Sequence, residues 1–426
     1  MKRLLMFGAA AAALVAAPFV ARAAESGEEK QASAVPGWQE FVDSLETLPD
    51  RMLAKMPERL RNDPQVRQEV ARVALQALAT QTLDAIGADG DAPQFLPSIG
   101  QVLNVGQPNA DTVYRSATLT PGGSYRITGK QGSVNHAVIA QVIPRSVENP
   151  GGMRSHLKIG DLKTDAEGRF DVLLSAEKPE EHTGDWWQLE PAANRLMVRM
   201  VSSDWKNEVE PTLSIERVDT PISRPRPPAA KLEAKLRALP QAVDFIALMF
   251  MGHVEEFRDE GYVNRFKTYD VAFGALEGQF YYNAYYDLAD DEALIVESDV
   301  PKTCGYRSLI LTNETYETTD WYNNHSSLND AQADVDPDGK LRIVISAQDP
   351  GVKNWLDTAG HPNGIIQGRW TGCDSQPIPK ATVVKLSQLD KHLPKGVARD
   401  GRRTPANPAR TPPRVAGKAA VVSGER

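Results

Sequence analysis

The sequence predicts a mainly β protein of the α+β class, with two tandem duplicated antiparallel β-sandwich or jelly-roll-like domains, each preceded by helices. The first observation is a long internal repeat, because residues 165–177 and 336–348 share an acidic turn, a glycine, an apolar strand and a Ser-Ala pair. The second is a series of short segments rich in Val, Ile, Tyr and Phe and bounded by Gly, Pro or Asn. The third is a helical pattern before each set of strands. A repeat this long indicates two similar domains rather than a solenoid.

The repeat extends beyond this central segment in both directions. Small drifts in its spacing indicate insertions and deletions in loops. The further matches are Gly106 with Gly278, Gln107 with Gln279, Tyr114 with Tyr286, Trp186 with Trp355 and Arg199 with Arg369.

The helical pattern is clearest before the first set of strands. Asp63 is placed to cap a helix that Pro64 starts and that runs to about Ile86. One face of this helix carries Val66, Val70, Val73 and Ala77, at the spacing of a buried stripe. Three further helices are predicted at 38–45, 50–60 and 231–258.

The strand segments fall into two sets of five. Turns with a glycine, at residues 165–168 and 336–339, precede a strand in each set. The predicted strands are 124–128, 137–142, 170–174, 195–201 and 212–218, and then 293–297, 306–312, 341–346, 365–370 and 381–386.

These patterns divide the chain into six parts. A Pro-rich stretch at 221–228 separates the two halves. The predicted parts are a signal peptide (1–23), a helical section (24–90), a first sandwich (91–220), a linker with a helical connector (221–275), a second sandwich (276–394) and a disordered basic tail (395–426).

The first residues predict export. Lys2 and Arg3 precede the apolar run 4–20, and the small-residue site 21–23 predicts cleavage after Ala23. A periplasmic or secreted location permits disulfides. The two cysteines, Cys304 and Cys373, are therefore either bonded to each other or two buried thiols.

Charge and hydropathy limit the partners. A net charge of −8 argues against nucleic acid as a ligand. No stretch after the signal reaches the roughly 20 apolar residues of a transmembrane helix. The basic tail is explained either as a solvated segment or as a contact to an anionic surface. The pattern does not specify an oligomeric state.

The second half contains a specific combination of short motifs. They lie at 320–323, 327–329, 336–339, 346–351, 354–361 and 369–370. With these motifs, the chain from about residue 280 to 394 resembles the bacterial domain-of-unknown-function family 1214. Residues 107–114 resemble an element of family 1254, with Ala110 interrupting that element. The resemblance implies a β-sandwich, jelly-roll-like architecture in exported proteins, and it implies no reaction.

The densest polar cluster lies in a loop at 349–361. Asp349 and Asp357 are candidate catalytic carboxylates with His361 as their acid/base partner. Asn354 and Trp355 could hold a hydroxyl-rich ligand by hydrogen bonding and ring stacking. The structural alternative is a turn at Asp349, loop amides held by Asp357, and Trp355 as a core anchor, because Trp186 echoes it.

Three further residues are candidate ligand contacts. Arg369 could contact an anion, although its echo Arg199 favours a fold role in which each arginine pairs with a carboxylate. Trp321 and Tyr322, near the tyrosine pairs at 281–286, offer flat faces for sugars. In each tyrosine pair the strand alternation places one ring in the core.

Two hypotheses for function follow. The first is a cell-envelope binding protein that holds a small or carbohydrate-like ligand between the sandwiches or at the loop end of the second. The alternative is a periplasmic hydrolase or lyase of a glycoside or extracellular polymer, using Asp349 or Asp357 with His361. No protein motif identifies a cofactor, and no metal ligands are predicted. The acidic turn 334–338 lacks the later Glu of an EF-hand.

Overall fold

A computed structural model describes residues 33–145, 151–221, 223, 225–268 and 278–399. The predicted signal peptide and most of the basic tail lie outside the described residues. Within these ranges no helix is both long and apolar enough to cross a bilayer.

The first four helices pack together into one apolar core, whereas the fifth packs against Tyr285, Tyr316 and Ile365 of the second sandwich. Asp63 caps the third helix as predicted, because its carboxylate accepts the backbone N–H groups of Gln65 and Val66. Two boundaries were wrong: the first helix continues through Pro49, and Gly252, with φ of 84°, divides the predicted helix 231–258. The helices are α1 (Trp38–Lys55), α2 (Glu58–Arg61), α3 (Pro64–Gly87), α4 (Ala229–Met249) and α5 (His253–Asp259).

The strands form four sheets in two equivalent sets, so the predicted duplicated β-sandwich fold is confirmed. The first sandwich contains β1 (Leu96–Pro97), β2 (Thr112–Thr118), β3 (Tyr125–Lys130), β4 (His136–Ile143), β5 (Gly152–Lys158), β6 (Arg169–Ser175), β7 (Asp185–Gln188), β8 (Arg195–Val201) and β9 (Thr212–Arg217). The second contains β10 (Lys267–Thr268), β11 (Gln279–Asp287), β12 (Glu292–Asp299), β13 (Cys304–Leu311), β14 (Ser327–Asn329), β15 (Lys340–Ser346), β16 (Trp355–Asp357), β17 (Asn363–Cys373) and β18 (Lys380–Lys385).

The strand order is the same in both sandwiches. The large sheets run β1-β2-β8-β4-β5 and β10-β11-β17-β13-β14, and the small sheets run β7-β6-β3-β9 and β16-β15-β12-β18. Pairing is antiparallel except between β6 and β7 and between β15 and β16, which are parallel. In each sandwich, both sheets contribute side chains to one apolar core.

The cysteines are bonded across the second large sheet. Cys304 and Cys373 lie opposite each other on β13 and β17 and form a disulfide. Of the two alternatives from the sequence, the structure has the bonded pair.

Candidate functional site

The outer faces of the two large sheets meet each other. Val138 and Val201 of the first sheet pack against Tyr306 of the second. His136 makes an edge contact with the Tyr306 ring, with centroids 6.5 Å apart. We call the surface enclosed between these sheets the intersandwich face.

A buried carboxylate fixes one side of the intersandwich face. Asp111 is 1% exposed and accepts hydrogen bonds from the Tyr306 hydroxyl at 2.7 Å, the Trp205 indole at 2.7 Å and the Asn329 amide at 2.8 Å. Burial and the Asp111 charge raise the pKa of Tyr306 well above its usual value. The two sandwiches are therefore joined by a charged hydrogen-bond network rather than by apolar contact alone.

Each sheet contributes one tyrosine–arginine pair to this face. Tyr114 lies opposite Arg199 between β2 and β8, and Tyr281 lies opposite Arg369 between β11 and β17. The guanidinium carbons are 5.9 Å and 5.5 Å from the centroids of their tyrosine rings. The match of Tyr114 with Tyr286 was therefore wrong: β2 begins well after the Gly-Gln pair, whereas β11 begins within it.

The two pairs lie close to each other. Burial raises the pKa of Tyr281, while the positive charges of Arg369 and Arg199 act against that rise. Arg369 also acts on the pKa of Tyr306. Both arginines therefore direct positive charge at one enclosed region.

The second sheet adds a row of buried polar groups beside Arg369. Asn283 is opposite Gln367, and Ser308 is opposite Arg369, so strand alternation puts all four on the intersandwich face. Neither amide atom of Asn283 has a hydrogen-bond partner, and the same holds for Gln367 Oε1, Ser308 Oγ and Arg369 Nη1. Each unsatisfied buried polar group costs about 1–3 kcal/mol, so these four residues are the candidate ligand contacts of this face.

The first sheet is less polar at the equivalent positions. The cross-strand registers align Ser308 with Val138 and Gln367 with Met197. They also align Arg369 with Arg199. Asn283 aligns with Ser116. The tyrosine–arginine pair is thus a feature of both copies, and the Ser308 hydroxyl and the Gln367 amide belong to the second.

Arg369 does not follow the sequence interpretation of a carboxylate-paired fold residue. It is 4% exposed, and no carboxylate in the described part of the chain lies within ion-pair distance. Its only described aromatic contact is the Tyr281 ring. Its guanidinium also interacts with the Tyr281 hydroxyl.

The loop predicted to be catalytic has structural roles at several positions. Asp349 accepts the backbone N–H of Gly351 at 2.7 Å and closes a turn. Asn354 bonds to the main chain of Asp334 and Arg342. Trp355 is a core anchor, and its indole donates to the Ser346 carbonyl at 3.1 Å.

Asp357 also serves its own loop. It accepts the backbone N–H of Ala359 at 2.8 Å. Burial raises the pKa of Asp357, and the charge of Asp349 adds to that rise. The structure does not join Asp357 to His361 by a hydrogen bond.

His361 instead lies in a second polar cluster, with Glu69 of α3 and Glu314 of the loop after β13. Its Nδ1 is 3.1 Å from Glu314 Oε2, and one ligand atom from each of the three residues lies within 4.8 Å of the others. We call these three residues the Glu-Glu-His cluster. Burial lowers the pKa of His361, but the hydrogen bond and charge of Glu314 outweigh it, so the pKa is raised.

Trp321 and Tyr322 lie together after β13, with ring centroids 6.1 Å apart. Trp321 is buried, whereas Tyr322 is partly exposed. Of the tyrosine pairs, Tyr282 and Tyr286 enter the second core and Tyr281 and Tyr285 face outward, as the alternation predicted.

Sequence reasoning missed Glu69, Glu314 and Asn283. Glu69 had a usable signal, because it is the one carboxylate within the predicted apolar stripe of α3. Asn283 lies between the two tyrosine pairs, and sequence reasoning considered only the tyrosine rings of this segment. Glu314 lies in a loop whose position depends on the tertiary fold.

Comparisons with known proteins support the fold and the resemblance of the second half. Residues 283–366 match the model of a family described as a protein of unknown function, DUF1214. A crystal structure of an uncharacterized protein from Burkholderia cenocepacia is similar over 82% of this chain and 97% of its own, at 28% identity and a TM-score of 0.75.

A crystal structure of a protein from Vibrio parahaemolyticus is similar over 74% of this chain and 99% of its own, at 12% identity and a TM-score of 0.44. No curated protein matches the chain. The C-terminal part of the chain is therefore similar to DUF1214.

Proposed function

We propose that this protein is an exported binding protein of the cell envelope that encloses a small polar ligand, with an anionic group, at the intersandwich face. The observation that carries the proposal is the row of four buried side chains with unpartnered polar atoms in the second sheet. Two of these positions are Val138 and Met197 in the first sheet, so the fold itself does not require polar groups there.

The chemistry of the face indicates the class of ligand. Arg369 and Arg199 favour a carboxylate or another anion. Asn283 and Gln367 offer amide donors and acceptors of the kind that bind hydroxyl groups. A sugar acid or a similar carbohydrate-like acid combines both features.

The element that resembles family 1254 belongs to the same face in this proposal. Asn109 and Asp111 bond to Tyr306 across the sandwiches, and Tyr114 pairs with Arg199. A relation to family 1254 would explain why these residues occur together upstream of a DUF1214-like domain.

Export is supported by the signal pattern at 1–23 and by the Cys304–Cys373 disulfide, which an oxidising compartment allows. The hydrolase or lyase alternative has less support. It required Asp349 or Asp357 to act with His361, whereas His361 bonds to Glu314 and Asp349 closes a turn.

A thermal-shift panel tests the proposal. The mature chain from Ala24 onward is melted with neutral sugars, oligosaccharides, sugar acids and aromatic acids, and each hit is checked for turnover. We expect an acidic compound to stabilise the protein and to be recovered intact. At 100 times its Kd a ligand stabilises by about 2.7 kcal/mol.

Two variants locate the binding. Arg369→Met should abolish the shift, while Arg154→Met, which removes an exposed charge from β5, should keep it. An equal shift in wild type and Arg369→Met, or no shift with any acid, would contradict the proposal. Consumption of the compound would instead identify an enzyme.

A further inference from the structure

We propose that the Glu-Glu-His cluster, Glu69, Glu314 and His361, is a binding site for one divalent transition-metal ion. This site is separate from the intersandwich face and does not depend on the ligand proposed there. It joins α3 of the helical section to two loops of the second sandwich.

The ligand atoms have suitable chemistry and spacing. Two carboxylates and one imidazole are donors that Zn²⁺ and Mn²⁺ accept. Ligands about 2.0–2.2 Å from one tetrahedral ion lie roughly 3.3–3.5 Å apart. The 3.1 Å between His361 Nδ1 and Glu314 Oε2 is close to this spacing, and Glu69 lies within the 4.8 Å limit of the cluster.

Charge balance is the second argument. Glu69 and Glu314 are 5% and 6% exposed. The nearby guanidinium of Arg72 is already used, because it makes a bidentate pair with Glu317 at 3.0 and 2.7 Å. Two buried carboxylates thus share one imidazole, which leaves negative charge that a divalent cation would neutralise.

Neighbouring hydrogen bonds hold the ligands in place. Gln65 donates to Glu69 Oε1 at 3.2 Å, one helical turn away. Asn313 and Thr315 donate to Glu317 at 2.9 Å, which keeps that carboxylate on Arg72 and out of the cluster. Such outer contacts orient metal ligands in known sites.

Calorimetric titration of the EDTA-treated mature protein, without a histidine tag, tests the proposal. The probes are ZnCl₂, MnCl₂, MgCl₂ and CaCl₂. We expect one Zn²⁺ per chain, weaker Mn²⁺ binding, and no measurable binding of Mg²⁺ or Ca²⁺.

Matched variants complete the test. Glu69→Gln and His361→Gln should each weaken Zn²⁺ binding by at least about tenfold, while His392→Gln, an exposed histidine elsewhere, should not change it. Glutamine has nearly the same shape as glutamate, so the metal-free melting temperature of Glu69→Gln shows whether the variant keeps its fold. Absence of stoichiometric Zn²⁺ binding, or wild-type affinity in Glu69→Gln, would overturn the proposal.

Discussion

The two large sheets have the same strand order and the same tyrosine–arginine pair, but they differ in their unpartnered polar atoms. Among the described residues, such atoms lie on Asn283, Ser308, Gln367 and Arg369 in the second sheet, and on Thr118 and His136 in the first. Ser308 and Gln367 in the second sheet occupy the positions of Val138 and Met197 in the first. The paired arginines therefore belong to the duplicated fold, whereas the Ser308 hydroxyl and the Gln367 amide occur in one copy. That asymmetry is the argument for a ligand.

The loop after β13 is a second difference between the copies. In the second sandwich, residues 312–326 separate β13 from β14, whereas β5 begins soon after β4 in the first. Thr318 and Asn104 exchange hydrogen bonds at 2.7 and 3.0 Å, so this loop docks on the first sandwich. The ion pair between Arg72 and Glu317 joins the same loop to α3. The longer loop supplies Glu314 and Glu317 to the metal candidate and its surroundings.

The largest expected effect concerns the two cores. Trp370→Ala should destabilise the second sandwich by about 3–5 kcal/mol, because Trp370 is buried and its indole donates to Pro377. Met200 occupies the equivalent register in β8, and Met200→Ala should destabilise the first sandwich by about 2–5 kcal/mol. Denaturant unfolding measures both. A loss below 1 kcal/mol for Trp370→Ala would contradict the described packing.

The disulfide gives the next effect, and it exists only in the second copy. Replacing both cysteines by alanine should cost about 2–4 kcal/mol, because Cys304 and Cys373 close a loop with a sequence separation of 69 residues. Alkylation of the unfolded, unreduced wild type provides the check. Labelling of either cysteine before reduction would show that the bond is absent.

Helix α3 makes one ion pair with each sandwich, and the two pairs differ in burial. Arg72→Met should cost about 1–3 kcal/mol, because it leaves the buried Glu317 carboxylate without its guanidinium. The α3 contact to the first sandwich, Asp84 with Arg195, is more open on its acidic side, so Arg195→Met should cost less. Thermal or chemical unfolding of both variants measures the two losses of stability. A larger loss for Arg195→Met than for Arg72→Met would contradict this expectation.

The smallest expected effect is a pH dependence of the metal-free protein. The folded pKa of His361 is raised, so its stabilisation is fully present below the ordinary value near 6.5 and is lost as pH rises through the raised value. The pKa of Glu69 is also raised, so its contribution to the stability likewise falls as pH rises above 4.5. In EDTA, as the pH rises from about 6 to about 9, the melting temperature should fall less in His361→Gln than in wild type.

The sequence predicted the fold through local signals. Asp63 and Pro64 mark the start of α3 because capping depends on adjacent residues. The repeat predicted the two sandwiches, and Trp186 and Trp355 do occupy equivalent registers on β7 and β16. Gly-Gln identity aligned Tyr114 with the wrong tyrosine, because it ignored a difference in loop length before the strand.

The candidate sites were less predictable because they depend on long-range contacts. His361 was identified as a polar candidate, but its partners Glu69 and Glu314 come from segments far apart in the chain. Arg369 was identified, whereas its neighbours Asn283 and Ser308 depend on the pairing of β11, β17 and β13. Residue type alone does not give a strand register.

The most direct test of the central claim is to give the second sheet the side chains of the first. The double variant Ser308→Val, Gln367→Met is compared with wild type and with Met197→Leu, a volume-conserving change in the first sheet, in the thermal-shift panel of acids. We predict that the double variant melts within about 1 kcal/mol of wild type and loses the ligand-induced shift, while Met197→Leu keeps it. An undiminished shift in the double variant would contradict the account.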